Sequence, residues 1–226
     1  MSKLRGNKPQ DIILMYHSVG KNRSEYLYSV SCDELIEQIN IIQDRCKIVP
    51  LKEILNPGSS PRAAITFDDA FEDFYIVFFP VLKMMGIHST VFVPTSYVES
   101  RRQMVAGKNH CNWKQIKQMQ ESGLVDFGSH GHSHQHIRGM DLQQIKEDVL
   151  VSKRLLEDKL GRRIDFFAYP GGKFQDWQHK EILRLGFKAV LTSIQGFVGK
   201  NRKVLPRIII TNKCDKDSFI SKLKGF

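Results

Sequence analysis

The 226-residue chain is expected to fold as one α/β domain built on a parallel sheet that closes, or nearly closes, into a barrel. Three observations support this. Short apolar runs of strand length alternate with amphipathic helical patterns from one end to the other, as repeated βα units require. No repeat, low-complexity segment or Gly/Ser/Pro-rich linker divides the chain. Residues suited to chemistry fall at the C-terminal ends of the expected strands, where the loops of a barrel converge on one axis. An open doubly wound sheet is the alternative.

The strands are expected at DIILMY (11–16), KIV (47–49), AAITF (63–67), STVFVP (89–94), LVDF (124–127), DFFAY (165–169), KAVLT (188–192) and PRIII (206–210). Helices between them carry start and stop signals. Ser31 with Glu34 makes a capping box ahead of the apolar face Leu35, Ile36, Ile39 and Ile42, and Asn112 with Gln115 does the same ahead of Ile116 and Met119. Asp141 with Gln144 opens a third helix. Its buried side is expected to carry Leu142, Ile145, Val149 and Leu156, with Gly161 as its C-terminal cap. A further helix is expected at DWQHKEILRLG.

The formal net charge of +10 favours an anionic partner, but the basic residues are scattered and the chain carries no nucleic-acid recognition motif, so specific nucleic-acid binding is not expected. The polar start MSKLRGNKPQ and the short run IILMY fall below the roughly 7 to 15 apolar residues of a leader core and the roughly 20 of a membrane helix. A cytoplasmic protein without a transmembrane segment is therefore expected, with peripheral membrane contact or an exported mature form as alternatives. Cys32, Cys46, Cys111 and Cys214 form no CxxC pair and read as reduced packing residues.

Two adjacent carboxylates, Asp68 and Asp69, follow the strand AAITF, and GSHGHSHQHI places a histidine at every second position after the strand LVDF. His130 and His134 are four apart, a spacing that lets two imidazoles meet one ion, and histidine with carboxylate suits a catalytic divalent metal. His132 and His136 have the same spacing; Gly128-Ser129, expected to turn the chain inward, favours the first pair. Near such an ion one aspartate can ligate while the other takes a proton from water. The competing use of either aspartate is as the cap of a helix beginning near Ala70.

TFDDA at 66–70, SHGHSH at 129–134 and FAYPGG at 167–172, in that order, resemble the polysaccharide deacetylases of the NodB-homology type, carbohydrate esterase family 4. The likeness extends to LMYHSVG, NWKQIKQMQESG and LPRIII, and so spans almost the whole chain. The resemblance implies a distorted (β/α) TIM-like barrel with seven or eight parallel strands, a single domain over 1–226 with its core at about 11–215, and hydrolysis of N-acetyl groups on an amino sugar. It also implies a divalent metal, commonly zinc, although iron, cobalt or nickel suit the same donors. By resemblance Asp68 is the catalytic base, while Asp69, His130 and His134 hold the metal. Tyr169 and Pro170 lie at the substrate, and the Gly171 N–H serves the oxyanion.

The departures from the pattern are specific. Ala168 stands where many members carry an arginine that steadies the base, as in the subset that resembles biofilm poly-N-acetylglucosamine deacetylases. Gly171 replaces an aromatic wall. No late Leu-x-x-His motif supplies a general acid, so His17, after the first strand, is the candidate for that role or for substrate binding. Trp113, Tyr97, Phe174 and Trp177 are candidates for stacking on sugar rings, with packing as the alternative. Arg207 is a candidate for substrate binding, expected to carry charge to the base of the pocket, with a salt bridge at the bottom of the barrel as the alternative. Rival functions are a hydrolase of small allantoin-like amides and a catalytically impaired glycan-binding protein. If the protein stays inside the cell, a nucleotide-linked, lipid-linked or nascent sugar is the expected substrate.

Overall fold

Eleven strands are found among the described residues, 10–22 and 24–224, of the computed structural model. They are β1 (Ile12–Tyr16), β2 (Ser18–Gly20), β3 (Ser29–Ser31), β4 (Lys47–Ile48), β5 (Arg62–Phe67), β6 (Ser89–Val93), β7 (Val125–Ser129), β8 (Phe166–Ala168), β9 (Ala189–Leu191), β10 (Val204–Leu205) and β11 (Ile208–Ile209). The helices are α1 (Cys32–Gln43), α2 (Phe79–Met85), α3 (Thr95–Ser100), α4 (Trp113–Glu121), α5 (Leu142–Leu160), α6 (Asp176–Arg184) and α7 (Lys216–Lys222). The polar residues 1–9, on which the expectation of a chain without a leader rests, lie outside the described residues. No helix among those described is long and apolar enough to cross a membrane.

The main sheet runs β10-β9-β8-β7-β6-β5-β1-β11, all parallel, with β4 added beside the start of β5. β10 and β11 stand at opposite ends of this path, yet Leu205 and Ile208 are only three residues apart in sequence. Three residues reach at most roughly 10 Å, so the two edges lie side by side. The sheet is therefore curled into an incompletely closed barrel, and Pro206-Arg207 spans the seam where a hydrogen-bonded ladder would otherwise run. The expected strand at 206–210 forms only at Ile208–Ile209 because its first residues make this crossing.

Alternation along the strands divides the core. Ile12, Leu14, Ile65, Val91, Phe167 and Val190 meet the helices, while Ile13, Ala64, Phe92, Ala168 and Leu191 form a second, smaller cluster on the other face, inside the barrel. All three expected capping boxes form, and Gly161 closes α5 at φ 64°. Two details of the expected helix faces are corrected. Ile36 is only half-buried, and Gln38 takes the inner position because its Oε1 accepts a 2.7 Å bond from the buried Tyr16 hydroxyl. Leu142 is 39% exposed, since the first residue of α5 overhangs the sheet.

The bottom of the barrel is tied by Asp11. Its carboxylate accepts from Arg62 Nη2 at 2.7 Å, from Arg62 Nε and N at 3.1 Å each, and from Arg202, which also bonds Ile54 O at 2.6 Å. Burial pushes the Asp11 carboxyl up, but the two guanidiniums outweigh it and the pKa is lowered. This stabilisation is present above the unfolded carboxylate pKa of about 3.9 and is lost as pH falls through the lower folded value. Asp11→Asn is expected to lose about 3 kcal/mol at neutral pH in denaturant unfolding, with the gap to the wild type narrowing in acid.

Candidate active site

Loops following β1, β5, β7, β8 and β9 meet at the C-terminal end of the barrel around a cavity of about 190 Å³. His17, Asp68, Asp69, His130, His134, Tyr169 and Gly171, all expected on the sequence, line it together. No helix begins at Ala70, because helical residues start only at Glu72, so neither aspartate is the expected cap.

Asp68 and Asp69 are separated by direction. Ala64, Thr66 and Asp68 share one face of the strand and its extension, so Asp68 points into the barrel. The chain then turns left-handed at Asp69 (φ 71°) and Ala70 (φ 50°), which sends the Asp69 side chain toward the histidines. Two contacts hold this unfavourable backbone. The buried His110 ring donates from Nδ1 to Asp69 O at 2.7 Å, and Cys111 N donates to Ala70 O at 2.9 Å.

His130 follows β7 directly, and its Nδ1–H is committed to Ala168 O at 2.8 Å, which leaves Nε2 as the lone-pair atom facing the site. The inward turn expected at Gly128-Ser129 does not occur. Both residues belong to β7, and Gly128 is small because a Cβ there would stand 2.4 Å from the Phe92 ring. The turn comes at Gly131 (φ 74°) and brings His134 back at φ 58°.

Asp69 Oδ1 is buried and lacks a well-aligned hydrogen-bond donor, yet lies 3.1 Å from His134 Nε2 and 3.5 Å from His130 Nε2. Around an ion with bonds of about 2 Å, adjacent donor atoms stand at about this separation. One donor atom from each of Asp69, His130 and His134 lies within 4.8 Å of the others, so the set fits a small divalent cation. Burial drives the Asp69 carboxyl up, but the two histidines beside it override this and leave the pKa well below the ordinary range. Burial acts downward on His130, and the two carboxylates reverse it to a net rise.

Arg207 is fully buried beneath the cavity and does not line it. Its Nη1 and Nη2 each stand 2.7 Å from one oxygen of Asp68, a two-pronged pair, while Nε donates to Thr192 O at 3.0 Å. The charge expected of Arg207 at the base of the pocket is there, although the residue does not touch the cavity as a substrate contact would; the salt bridge at the bottom of the barrel belongs to Asp11. Arg207 makes with Asp68 the contact that Ala168 cannot. Burial raises the Asp68 carboxyl, and Arg207 with His130 more than offsets it, so Asp68 is held ionised.

His17 packs on Tyr28 with ring centroids 4.6 Å apart, and its buried Nδ1 has no partner among the described residues. Burial lowers its pKa despite the pull of Asp69 and Asp68. A Cβ at Gly171 (φ 62°) would stand 2.3 Å from Nε2 of His136, an exposed side chain that does not line the cavity. Tyr169 stacks on Phe174 at 4.6 Å, and Pro170 is buried outside the cavity lining. Trp113 does not line the cavity; its Nε1 bonds Glu99 and Lys159 Nζ lies 5.5 Å from its ring centroid. Tyr97 leans edge-on to His134 at 6.1 Å. Trp177, 40% exposed, bonds Gln175 and does not line the cavity.

Tyr26, Tyr28, His110, Met104 and Ser193 were not anticipated at or beside the site. The segment SEYLYS did carry a signal, since Tyr26 and Tyr28 alternate within a polar stretch and so share a side. Burial and the nearby Asp69 push the Tyr26 phenol up, which keeps it a hydrogen-bond donor.

The polysaccharide deacetylase family model matches residues 56–190, which include both aspartates, the histidine loop and the Tyr169–Gly172 turn. The poly-beta-1,6-N-acetyl-D-glucosamine N-deacetylase of Staphylococcus epidermidis is 28% identical over 253 aligned positions, covering 99% of this chain and 86% of its own length. The structure of IcaB from Ammonifex degensii superposes with a TM-score of 0.80 at 25% identity, covering 94% of both chains. Streptococcus pyogenes deacetylase PplD, solved with acetate, shares the fold with a TM-score of 0.80 at 23% identity over 96% of this chain and 99% of its own. With the match spanning more than half of the sequence and the barrel and its site in the places it requires, the chain belongs to the polysaccharide deacetylase family.

Proposed function

We propose that the protein is a metal-dependent hydrolase that removes N-acetyl groups from an amino sugar within a glycan or glycan precursor, releasing acetate and leaving a free amine. The observation that carries this reading is the division of labour between neighbouring aspartates: Asp69 joins two imidazoles in a three-donor cluster, while Asp68 is ion-paired to Arg207 and stays outside it. The similarity to the Staphylococcus epidermidis enzyme supports poly-β-1,6-N-acetylglucosamine or its oligomers as the substrate class.

Asp69, His130 and His134 would hold the cation, for which zinc, cobalt, nickel and iron are all suited. When bound, it supplies charge that acidifies a water and polarises the acetamide carbonyl. Asp68 accepts the water's proton as the water oxygen attacks the carbonyl carbon, and Arg207 keeps that carboxylate ionised and fixed in direction until then. The Gly171 N–H offers a hydrogen bond to the carbonyl oxygen as negative charge grows there. The C–N bond then breaks, and the departing nitrogen takes its proton from Asp68 or from His17.

His17→Ala is expected to lower kcat about 10- to 100-fold and leave cation binding intact. Unchanged turnover and substrate affinity would remove His17 from the reaction. The two rival functions lose support. The impaired-scaffold reading rests on a missing arginine and a missing late histidine; the Arg207–Asp68 ion pair answers the first, and the His17 variant tests the second. The similarity to polysaccharide deacetylases favours an acetylated glycan over a small amide.

The deciding experiment measures acetate release by cation-reconstituted protein from N-acetylglucosamine oligomers, sugar nucleotides and allantoin-like amides. Release from the oligomers is expected. Hydrolysis of the small amides alone, or glycan binding without acetate, would overturn the proposal.

A further inference from the structure

We infer that Asp148, on α5 and outside the cavity lining, is a positioning residue that sets the affinity of the cation site by holding the loop that carries His134. This rests on the reading that Asp69, His130 and His134 bind a divalent ion.

His132 N donates to Asp148 Oδ2 at 2.9 Å and Ser133 N donates to Asp148 Oδ1 at 2.8 Å, so two successive amides converge on one carboxylate. The loop is wrapped closely around it. A Cβ at Gly131 would stand 2.7 Å from Asp148 Oδ2, and only glycine accepts both that approach and a φ of 74°. The opposite side of the loop is held by the start of α3: Thr95 N donates to Gly131 O at 3.2 Å, Ser96 N to His132 O at 3.0 Å, and Thr95 Oγ1 meets His132 Nδ1 at 3.0 Å.

Amides gripped from one side and carbonyls from the other leave the next residue little freedom. That residue is His134, in the left-handed region at φ 58°, a conformation that persists only where the surroundings impose it. His130, by contrast, is fixed by β7 and Ala168. The distance between the two imidazoles is therefore set by the loop, which Asp148 holds together with the start of α3.

The test titrates Zn2+ and Co2+ into the full chain by chelator competition, and follows the visible absorption of the Co2+ form, with the fold checked by circular dichroism. Asp148→Ala is expected to weaken cation binding 10- to 100-fold and to alter the Co2+ spectrum, while Asp148→Asn, which keeps one acceptor oxygen, loses less. Gly131→Ala should weaken binding in the wild-type background and do less further harm in Asp148→Ala, where the carboxylate it strikes is gone. A tether that only stabilises the fold would lower the melting temperature and leave cation affinity unchanged; that result in a folded variant overturns the inference and spares the function. Should Asp148→Ala not fold, Asp148→Asn and Gly131→Ala decide by the same readout. Wild-type protein that binds neither ion overturns the cation site itself.

Discussion

Asp68→Asn is expected to reduce kcat by about 1,000-fold while cation affinity stays within a few-fold of the wild type. An amide in place of the carboxylate cannot take the proton of the attacking water. Asp69, His130 and His134 are expected to remain in place, because His110, Ala168 and Asp148 hold the segments that carry them. The paired control is His134→Ala, which removes one of three donors and is expected to lose both hydrolysis and tight cation binding. Measured together, acetate release and cation titration separate base from ligand. Normal turnover in Asp68→Asn would reassign the base, and undiminished cation binding in His134→Ala would remove that histidine from the site.

Removal of the Arg207 guanidinium is expected to have the second largest effect. Arg207→Met leaves a fully buried carboxylate without its partner, which costs about 3 to 5 kcal/mol of folding stability. Arg207 holds the Asp68 carboxyl below its ordinary value against burial, so without it the pKa rises. The acid limb of the kcat/KM profile then moves to higher pH, and activity at neutral pH falls by roughly 100-fold. In the wild type the ion pair stabilises the fold above the unfolded carboxylate pKa and is lost as pH falls through the depressed folded value, so the stability difference also narrows in acid. Arg207→Lys keeps the charge without the two-pronged geometry and is expected to fall between. An unshifted acid limb in Arg207→Met would show that another group sets the basicity of Asp68.

The parts of this architecture that follow from local chemistry were legible in the sequence. Capping boxes at Ser31, Asn112 and Asp141 mark helix starts because side chain and backbone satisfy each other within four residues. Each strand end that bears His17, Asp68 or His130 could be placed from the short apolar run before it, and the cluster of Asp69 with two histidines from histidine spacing and motif order. Pairings across the barrel were not legible. Arg207 and Asp68 are 139 positions apart, and their contact depends on where the seam falls, which periodicity does not encode. His110 acts through a backbone carbonyl, and Asp148 through two amides, so neither leaves a pattern of side-chain types. Gly128 and Gly131 look alike in the sequence, yet the first makes room for Phe92 and the second permits a turn.

The short crossing from β10 to β11 joins two neighbours that share no rungs, and it carries Arg207, whose guanidinium anchors Asp68. Breathing at that joint would draw the charged anchor away while the inner rungs persist. Heat should therefore silence the enzyme before it melts the sheet.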